Sequence, residues 1–166
     1  MSLDLHVVYR DIKDEDKDFI LNTWSNNQGA ISPNNKCKKG EWGRCFKSIL
    51  TKRIVIFDTI VACSRECEDQ IYGFITFSVH DDYSCVHFMF VKSIYRGMGI
   101  AANLLDEIKV MPKYYSCLTE SHRARKFISH NEITYNPFLF MMNEESAIEL
   151  LQSKDSKLCG DGESRG

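Results

Sequence analysis

The stretch FMFVKSIYRGMGIAANLLDEI, from Phe88 to Ile108, passes from an apolar strand-like run through a glycine-broken turn into a helical run. The chain has nine glycines, and both Gly97 and Gly99 stand in this turn, directly behind Arg96. Glycine lets a backbone approach a ligand without a Cβ in the way, and the free amides at a helix N-terminus attract anions. The turn therefore predicts a site for a phosphate-bearing cofactor.

The chain before this turn predicts one strand, two helices and three further strands. Apolar residues recur at helical spacing in two segments, and β-rich runs with short polar breaks are typical of antiparallel hairpins. The predicted elements are a strand at 3–12, helices at 14–27 and 41–53, and strands at 53–66, 71–80 and 85–91. Trp24, Trp42 and Phe46 are expected to pack the two helices over a sheet. The segment Asn26–Lys39 is rich in Gly, Asn and Pro, which predicts a loop.

After the turn, a helix is predicted at 99–110, with its apolar side chains on one face. A strand at 114–120, a short helix at 123–131, a strand at 132–142 and a capped helix at 143–151 follow. Residues 1–152 are expected to form a single domain, since 166 residues with 43% hydrophobic content suffice for one well-cored domain. The polar residues 153–166 are expected to be a disordered tail.

Composition excludes several classes of protein. A formal net charge of −2 leaves no overall basic field for nucleic acid. The chain also lacks the run of about eighteen apolar residues that a membrane helix needs. Seven cysteines, an odd number without a C-x-x-C pair, favour neither a disulfide framework nor a zinc site. We therefore expect free thiols in a soluble cytoplasmic protein, with no metal, no membrane partner and no nucleic-acid partner.

The glycine turn is consistent with two kinds of cofactor. Gly97 to Ala102 satisfies the dinucleotide fingerprint G-x-G-x-x-A, and Glu120 follows about twenty residues later, where a ribose-binding acid belongs. The fingerprint needs its glycines tight against a buried parallel strand, whereas Lys92–Arg96 intervene here and hairpins are predicted before them. A dinucleotide is therefore the weaker interpretation.

The same residues contain the pattern Arg-x-x-Gly-x-Ala, from Arg96 through Gly99 to Ala101, and Val91 lies before the arginine at the end of the predicted strand. In this the sequence resembles the GNAT acetyltransferase superfamily, whose signature is a strand, a short loop and [Gln/Arg]-x-x-Gly-x-[Gly/Ala] opening a helix. The predicted element order is similar to that of the family over Leu3–Phe140. The resemblance implies an α/β (α+β) fold with a mixed, mostly antiparallel central sheet flanked by helices.

The resemblance also implies the ligand, acetyl-CoA as co-substrate, with its pyrophosphate against the turn and its pantetheine along the preceding strand. Backbone amides at a helix start and the charge of Arg96 suit a pyrophosphate. The implied cofactor-binding residues are Phe90, Val91, Arg96, Gly97, Met98, Gly99, Ile100 and Ala101. The implied activity is acyl-CoA-dependent N-acyltransfer, in which a primary amine of a small molecule or a protein attacks the thioester directly.

Two catalytic candidates stand where a base would accept the amine proton. Glu120 ends the predicted strand after the signature helix, where the resemblance implies that the sheet splays open. His87 lies in the strand before the signature, and alternation predicts that it shares a face with Val91. A strand-end acid is also commonly just solvated, and a buried histidine is as often structural, so both alternatives stay open.

Two departures from the family leave a second class of function open. The position of the tyrosine that commonly serves as acid is Ile128 here, with Ser129, His130 or Tyr135 as substitutes. No final strand is predicted after residue 142, so that strand is either absent or supplied by a partner, for instance in a homodimer. In this the chain resembles small divergent members of the family from phages and bacteria. The alternative function is a non-catalytic CoA-binding or interaction protein with the same fold.

Overall fold

The structure is a computed structural model that describes residues 6–28, 39–117 and 128–140. These residues contain a six-stranded sheet whose spatial order follows the chain. The strands are β1 (Val7–Asp11), β2 (Asp58–Ser64), β3 (Ile71–Val79), β4 (Ser84–Val91), β5 (Pro112–Tyr115) and β6 (Thr134–Tyr135). The helices are α1 (Lys17–Gln28), α2 (Lys39–Arg53) and α3 (Ile100–Asp106), with 3-10 turns at Asp14–Asp16 and Ser93–Tyr95.

The sheet is mixed, and its first four strands are antiparallel. The β1–β2, β2–β3 and β3–β4 pairs run antiparallel, and the last two confirm the predicted hairpins. The β4–β5 and β5–β6 pairs run parallel. In the first of these, α3 forms the crossover between the two parallel strands. The doubly wound parallel sheet that the dinucleotide fingerprint requires is thereby excluded.

Each face of the sheet carries a hydrophobic cluster under a helix layer. Beneath α1 and α2, Trp24 and Phe46 are buried in a cluster that includes Phe74 of the sheet, which confirms the packing predicted for Trp24 and Phe46. On the opposite face, α3 places Ile100 and Leu104 against the sheet, as its predicted apolar face requires. A buried side chain of this size stabilises the fold by about 1.5–3 kcal/mol. The two clusters therefore hold the helices that border both sides of β4.

Within the described residues 132–140, the strand predicted at 132–142 is wrong outside the two residues of β6. Pro137 has no amide to donate, so it cannot continue a strand ladder. Asn136 instead starts a new turn, because its Oδ1 accepts a hydrogen bond from Phe138 N at 3.1 Å. An Asn-Pro pair is a start signal for a helical turn. Leu139 and Phe140 are accordingly helical and buried.

Several predictions fall partly or wholly outside the described residues. These are residues 29–38 of the loop predicted at Asn26–Lys39, the helix at 143–151, the tail at 153–166 and the side chain of Trp42. The two ends of the predicted loop, 26–28 and Lys39, are helical instead. Of the short helix predicted at 123–131, residues 128–130 are described and are helical. The cysteines described as free thiols are Cys45, Cys63, Cys67, Cys85 and Cys117. Among the described residues, no helix combines the length and apolarity that a membrane crossing requires.

Candidate active site

The turn between β4 and α3 is tied to the end of β4 by hydrogen bonds. Lys92 N donates to Tyr72 O at 2.9 Å, which extends the β3–β4 ladder by one residue. The chain then forms the 3-10 turn Ser93–Tyr95, and Arg96 Nε donates back to Val91 O at 3.0 Å. Arg96 therefore closes the turn over the end of the strand, in addition to bringing positive charge there.

Gly97 and Gly99 both adopt left-handed backbone conformations, with φ of +87° and +82°. An L-residue with a side chain pays about 1–2 kcal/mol in that region, so glycine is the residue that fits. A Cβ built on either glycine meets no atom within 4 Å. Both glycines therefore face open space in which a ligand can approach the backbone.

The helix α3 begins directly behind these glycines. Its first backbone bond runs from Asn103 N to Gly99 O at 3.0 Å, so the amides from Gly97 to Ala102 precede the helical ladder. Such amides carry the partial positive charge of the helix start and suit an anion such as a pyrophosphate. This is the chemistry that the sequence predicts for the turn, and its occupancy by acetyl-CoA stays a prediction.

Aromatic and polar side chains brace this turn against the sheet. The ring of Tyr95 lies 4.4 Å from that of Tyr72, measured between centroids, and its hydroxyl accepts a hydrogen bond from Gln70 Nε2 at 3.1 Å. Asn103 Nδ2 donates to the hydroxyl of Tyr9 at 3.0 Å. The backbone around the two glycines is therefore held on both sides, and a ligand would meet a preformed surface.

The strands β4 and β5 separate next to Val86. They pair up to Val86 and Tyr115, and Ser116 N donates to Val86 O at 3.0 Å. β4 then continues to Val91, while β5 ends at Tyr115. Within the described ranges, the edge of β4 beyond Val86 that faces away from β3 has no strand beside it. Among the described residues, the sheet is thus open between β4 and β5, the two strands that flank α3; the splay expected at Glu120 itself lies outside the described residues.

A β-bulge at His87 changes the face on which this residue lies. The register between β3 and β4 shifts between Val86 and Phe88, so β4 has an extra residue at His87. Its ring stacks on Phe57 at 3.9 Å between centroids, in the cluster beneath α1 and α2. Val91 belongs to the opposite cluster, beneath α3. The prediction that His87 shares a face with Val91 is wrong, because alternation holds only in a strand without an inserted residue.

His87 is 1% exposed, and both of its ring nitrogens have hydrogen-bond partners. Nδ1 lies 2.7 Å from Ser116 Oγ, and Nε2 lies 3.0 Å from Ser78 Oγ. Burial and, to a smaller extent, electrostatic interactions with His80 and Arg53 lower the pKa of His87 from 6.5 to about 3. The ring is therefore neutral at physiological pH, and it links β3, β4 and the residue after β5 where the strands part.

The other sequence candidates differ in exposure, and one of them lies outside the described residues. Glu120, the first candidate for the base, lies outside the described residues. Ile128 is half-buried in a helical segment, whereas Ser129 and His130 are exposed and Tyr135 is 38% exposed in β6. In the part of the chain that the structure describes, no group of three or more His, Cys, Asp or Glu side chains is placed to hold a metal ion.

The partners of His87 were not identified in the sequence. Ser78 lies on β3 and Ser116 directly follows β5, and His80 Nε2 lies 3.2 Å from Ser78 Oγ. Serine is common on strands, and which serines meet a histidine depends on the bulge and on the register of three neighbouring strands. No local signal in the sequence carries that information.

Residues 57–132 match the family model described as "Acetyltransferase (GNAT) domain". The matched segment includes β4, its bulge, the glycine turn and α3. No curated protein sequence gives a significant match to the chain.

Solved structures of acetyltransferases share the fold. A proposed acetyl transferase from Pyrococcus furiosus has a TM-score of 0.57 at 12% identity, over 75% of this chain and 91% of its own. A GNAT-family acetyltransferase from Staphylococcus aureus Mu50 has a TM-score of 0.51 at 16% identity, over 75% and 82%. A ribosomal-protein-alanine N-acetyltransferase from Brucella melitensis biovar Abortus 2308 has a TM-score of 0.51 at 15% identity, over 75% and 89%.

At sequence identities of 12–16%, structural similarity establishes the fold but not the activity, because proteins with unrelated activities can share a fold. The family match is independent of that likeness and covers the glycine turn itself. The predicted resemblance is therefore confirmed: residues 57–132 match the GNAT acetyltransferase domain model, and the chain has a GNAT-like fold.

Proposed function

We propose that the protein is an acetyl-CoA-dependent N-acetyltransferase that transfers the acetyl group to a primary amine by direct attack on the thioester. The observation that carries the proposal is the turn Arg96–Ala101. It lies inside the segment that matches the family, and it presents two left-handed glycines to open space directly before α3.

The turn offers the pyrophosphate of acetyl-CoA both room next to the backbone and positive charge. The amides that precede Asn103 supply hydrogen-bond donors, and the guanidinium of Arg96 adds a positive charge. Gly97 and Gly99 leave room for phosphate oxygens next to the backbone. The side chains of Met98, Ile100 and Ala101 need not take part, because the contacts are with main-chain groups.

The open edge of β4 supports a position for the pantetheine. The peptide between Val91 and Lys92 directs its N–H to Tyr72 on β3 and its carbonyl away from β3. Strand alternation then directs the N–H and C=O of Met89 to the same outer edge. An extended chain with amide groups, such as pantetheine, pairs with a strand edge of this kind. Its thioester would then lie near the opening beside His87.

The chemistry requires a neutral amine, because an ammonium group has no lone pair. The amine nitrogen bonds to the thioester carbon, the carbon–sulfur bond breaks, and the CoA sulfur takes up a proton. Glu120, for which the sequence predicts a position at the end of a strand, is the proposed base, since a carboxylate in such a position can have its pKa raised toward the working range. His87, buried and with a pKa of about 3, is the second candidate for the relay of this proton.

We predict that Glu120→Gln lowers turnover about a hundredfold, with little change in affinity for acetyl-CoA, because the amide keeps the shape and removes the base. The matched control is Glu66→Gln, the same change at an exposed residue before β3, which should leave both quantities unchanged. Steady-state kinetics and calorimetry measure the two effects. Nearly full turnover of Glu120→Gln across the pH range would exclude Glu120 as the base.

The proposed function is tested by binding and turnover measured on the same preparation. Calorimetry with acetyl-CoA measures binding, and a free-thiol release assay over a panel of amines measures transfer. The panel contains a small amine, a lysine peptide and a peptide with an N-terminal alanine, the last because a structurally similar enzyme bears that name. Absence of acetyl-CoA binding would overturn the proposal.

A second candidate function is a non-catalytic protein that binds CoA. It is favoured by Ile128 at the position of the usual tyrosine and by the low pKa of His87, which makes that ring a poor base near neutrality. Tight acetyl-CoA binding without thiol release from any amine in the panel is the result expected of this candidate.

A further inference from the structure

One flank of α2 carries apolar side chains at the surface. Ile49 is 39% exposed and Ile56 is 48% exposed, and the thiol-bearing residue Cys45 is exposed as well. The helical hydrogen bonding continues past the end of α2, because Phe57 N donates to Arg53 O at 3.2 Å. Positions 45, 49 and 56 therefore lie on one side of the same helical run. We call Cys45, Ile49 and Ile56 the α2 stripe.

The α2 stripe lies on the flank of α2 that faces away from α1. Lys47 Nζ donates to Asn22 Oδ1 of α1 at 2.8 Å, so Lys47 marks the flank next to α1. Two residues of a helix that are two positions apart point about 160° apart around its axis, which places Ile49 on the far flank. Phe46 and Leu50, between the two flanks, are buried against the sheet. The neighbouring helix therefore leaves the α2 stripe uncovered.

The C-terminal part of the chain departs from Phe140, which lies next to this flank. The ring of Phe140 is 6.5 Å from that of Phe46 and 5.7 Å from that of Phe57, measured between centroids. Phe46 and Phe57 are the chain neighbours of Cys45 and Ile56, the two ends of the α2 stripe. The residues that follow Phe140 therefore start beside the stripe.

The next segment of the sequence complements α2 in charge and in apolar character. Residues 143–151, NEESAIELL, for which the sequence predicts a helix, have Ile148 and Leu151 at helical spacing and three glutamates without a basic residue. The guanidinium carbon of Arg53 lies 5.6 Å from the Phe140 ring, so a buried positive charge stands where this segment begins. Among the described side chains of α2, the exposed charges are three basic and one acidic: Arg44, Lys47, Lys52 and Glu41.

We propose that residues 143–151 pack on the α2 stripe, with Ile148 and Leu151 against its apolar side chains. Residue 143 follows Phe140 by three positions, which span at most about 11 Å. So short a tether gives the segment an effective concentration in the millimolar range, so it occupies the stripe ahead of a separate partner. The packing covers α2 without adding a strand to the sheet. It goes beyond the proposed function and does not depend on acetyl-CoA.

A double-mutant cycle between Ile49→Gln and Leu151→Gln tests the contact in the full chain. Glutamine forms helices about as well as leucine and better than isoleucine, so neither change weakens its helix by propensity. We expect each variant to lower the melting temperature by about 2–8 °C, and the double variant to lower it by clearly less than the sum. Once one change has released the segment, the other has little contact left to remove.

The matched control is Leu158→Gln, the same change seven residues beyond Leu151, which should leave the melting temperature unchanged. An unchanged melting temperature of Leu151→Gln would overturn the proposal. Shifts that simply add in the double variant would overturn it as well, because residues without a shared contact act independently.

The thiol of Cys45 reports on the cover of the α2 stripe directly. Alkylation with iodoacetamide, followed by mass spectrometry of the peptides, measures its rate beside that of Cys67, an exposed thiol between β2 and β3. We expect Leu151→Gln to raise the Cys45 rate about threefold or more, because release of the segment uncovers the thiol, and to leave the Cys67 rate unchanged. The buried Cys63 should stay unlabelled if the fold is intact. Equal Cys45 rates in the variant and the wild type would overturn the proposal.

Sedimentation distinguishes this segment from other occupants of the α2 stripe. The proposal expects a wild type that does not bind vesicles of anionic lipid and does not dimerise through the stripe. A dimer that Ile49→Gln dissociates and Leu151→Gln does not would assign the stripe to a second copy of the chain. Vesicle binding that Ile49→Gln abolishes would assign it to a lipid surface. Either result would overturn the proposal.

Discussion

At His87, one inserted residue places a histidine among two serine hydroxyls and an aromatic ring on the face beneath α1 and α2. Its pKa is about 3 in the folded protein, against an ordinary value of 6.5. Between these values the unfolded chain binds a proton that the folded chain does not. The free energy of unfolding therefore decreases as the pH falls from about 6.5 toward 3.

We predict that His87→Gln makes the free energy of unfolding less dependent on pH below about 6.5. Glutamine can hydrogen-bond Ser78 and Ser116 but does not titrate. Between about pH 7 and about pH 4.5, the wild type should lose about 2–3 kcal/mol more of its free energy of unfolding than the variant. Urea unfolding at the two pH values measures the difference. An equal loss in both proteins would contradict the depressed pKa of His87.

At Gly99, we predict that substitution by glutamate abolishes measurable acetyl-CoA binding. The change places a side chain and a negative charge where the pyrophosphate is proposed to approach. Because φ is +82° there, any side chain also costs about 1–2 kcal/mol of stability. Gly99→Ala is the matched control. It has the same backbone cost but adds only an uncharged methyl group, so it should retain more affinity for acetyl-CoA. Calorimetry measures both variants, and an unchanged affinity of Gly99→Glu would remove the turn from the site.

At the scale of the element, β4 approaches β3 at Gly73 more closely than a side chain allows. A Cβ at Gly73 would lie 2.5 Å from Phe90 O and 3.1 Å from Val91 Cγ2. Gly73 thereby sets the position of the end of β4, which carries the two candidate contacts Phe90 and Val91. The geometry of the proposed site thus depends on a glycine in the neighbouring strand.

We predict that Gly73→Ala destabilises the protein by about 1–3 kcal/mol, since β4 must move to relieve the overlap. Acetyl-CoA binding should weaken as well, because Phe90 and Val91 move with the strand. Gly43→Ala is the control, because a Cβ in that position of α2 meets nothing within 4 Å. Alanine there should stabilise the helix by about 0.5–1 kcal/mol. A Gly73→Ala variant as stable as the wild type, by urea unfolding, would contradict the tight approach.

At the scale of the whole molecule, the mixed sheet bears on which ligand binds at the glycine turn. The turn alone is compatible with acetyl-CoA and with a dinucleotide, but the dinucleotide fingerprint requires a parallel sheet. We predict that acetyl-CoA raises the melting temperature and that NADH does not. A ligand that binds only the folded state stabilises it by about 2.7 kcal/mol at a hundredfold excess over Kd. Thermal unfolding with each ligand at the same concentration measures the effect, and free CoA serves as a control for the acetyl group. An equal shift with NADH would revive the dinucleotide interpretation.

Local sequence patterns determined the order of the elements and the place of the turn. The antiparallel run through β4, the apolar face of α3 and the burial of Trp24 all follow from periodicity and composition, which are properties of neighbouring residues. Both glycines of the turn adopt the left-handed conformations that their residue type allows. The same reasoning overlooked the helical start at Asn136–Pro137, although that signal is local and was present in the sequence.

The tertiary structure alone decided which side chains meet around the opening of the sheet. The face of His87 depends on a bulge between two strands, and its partners Ser78 and Ser116 come from two other parts of the chain. Its pKa depends on burial beneath helices that lie far away in sequence. Register and burial arise from contacts between distant residues, whereas sequence periodicity reports only on residues a few positions apart.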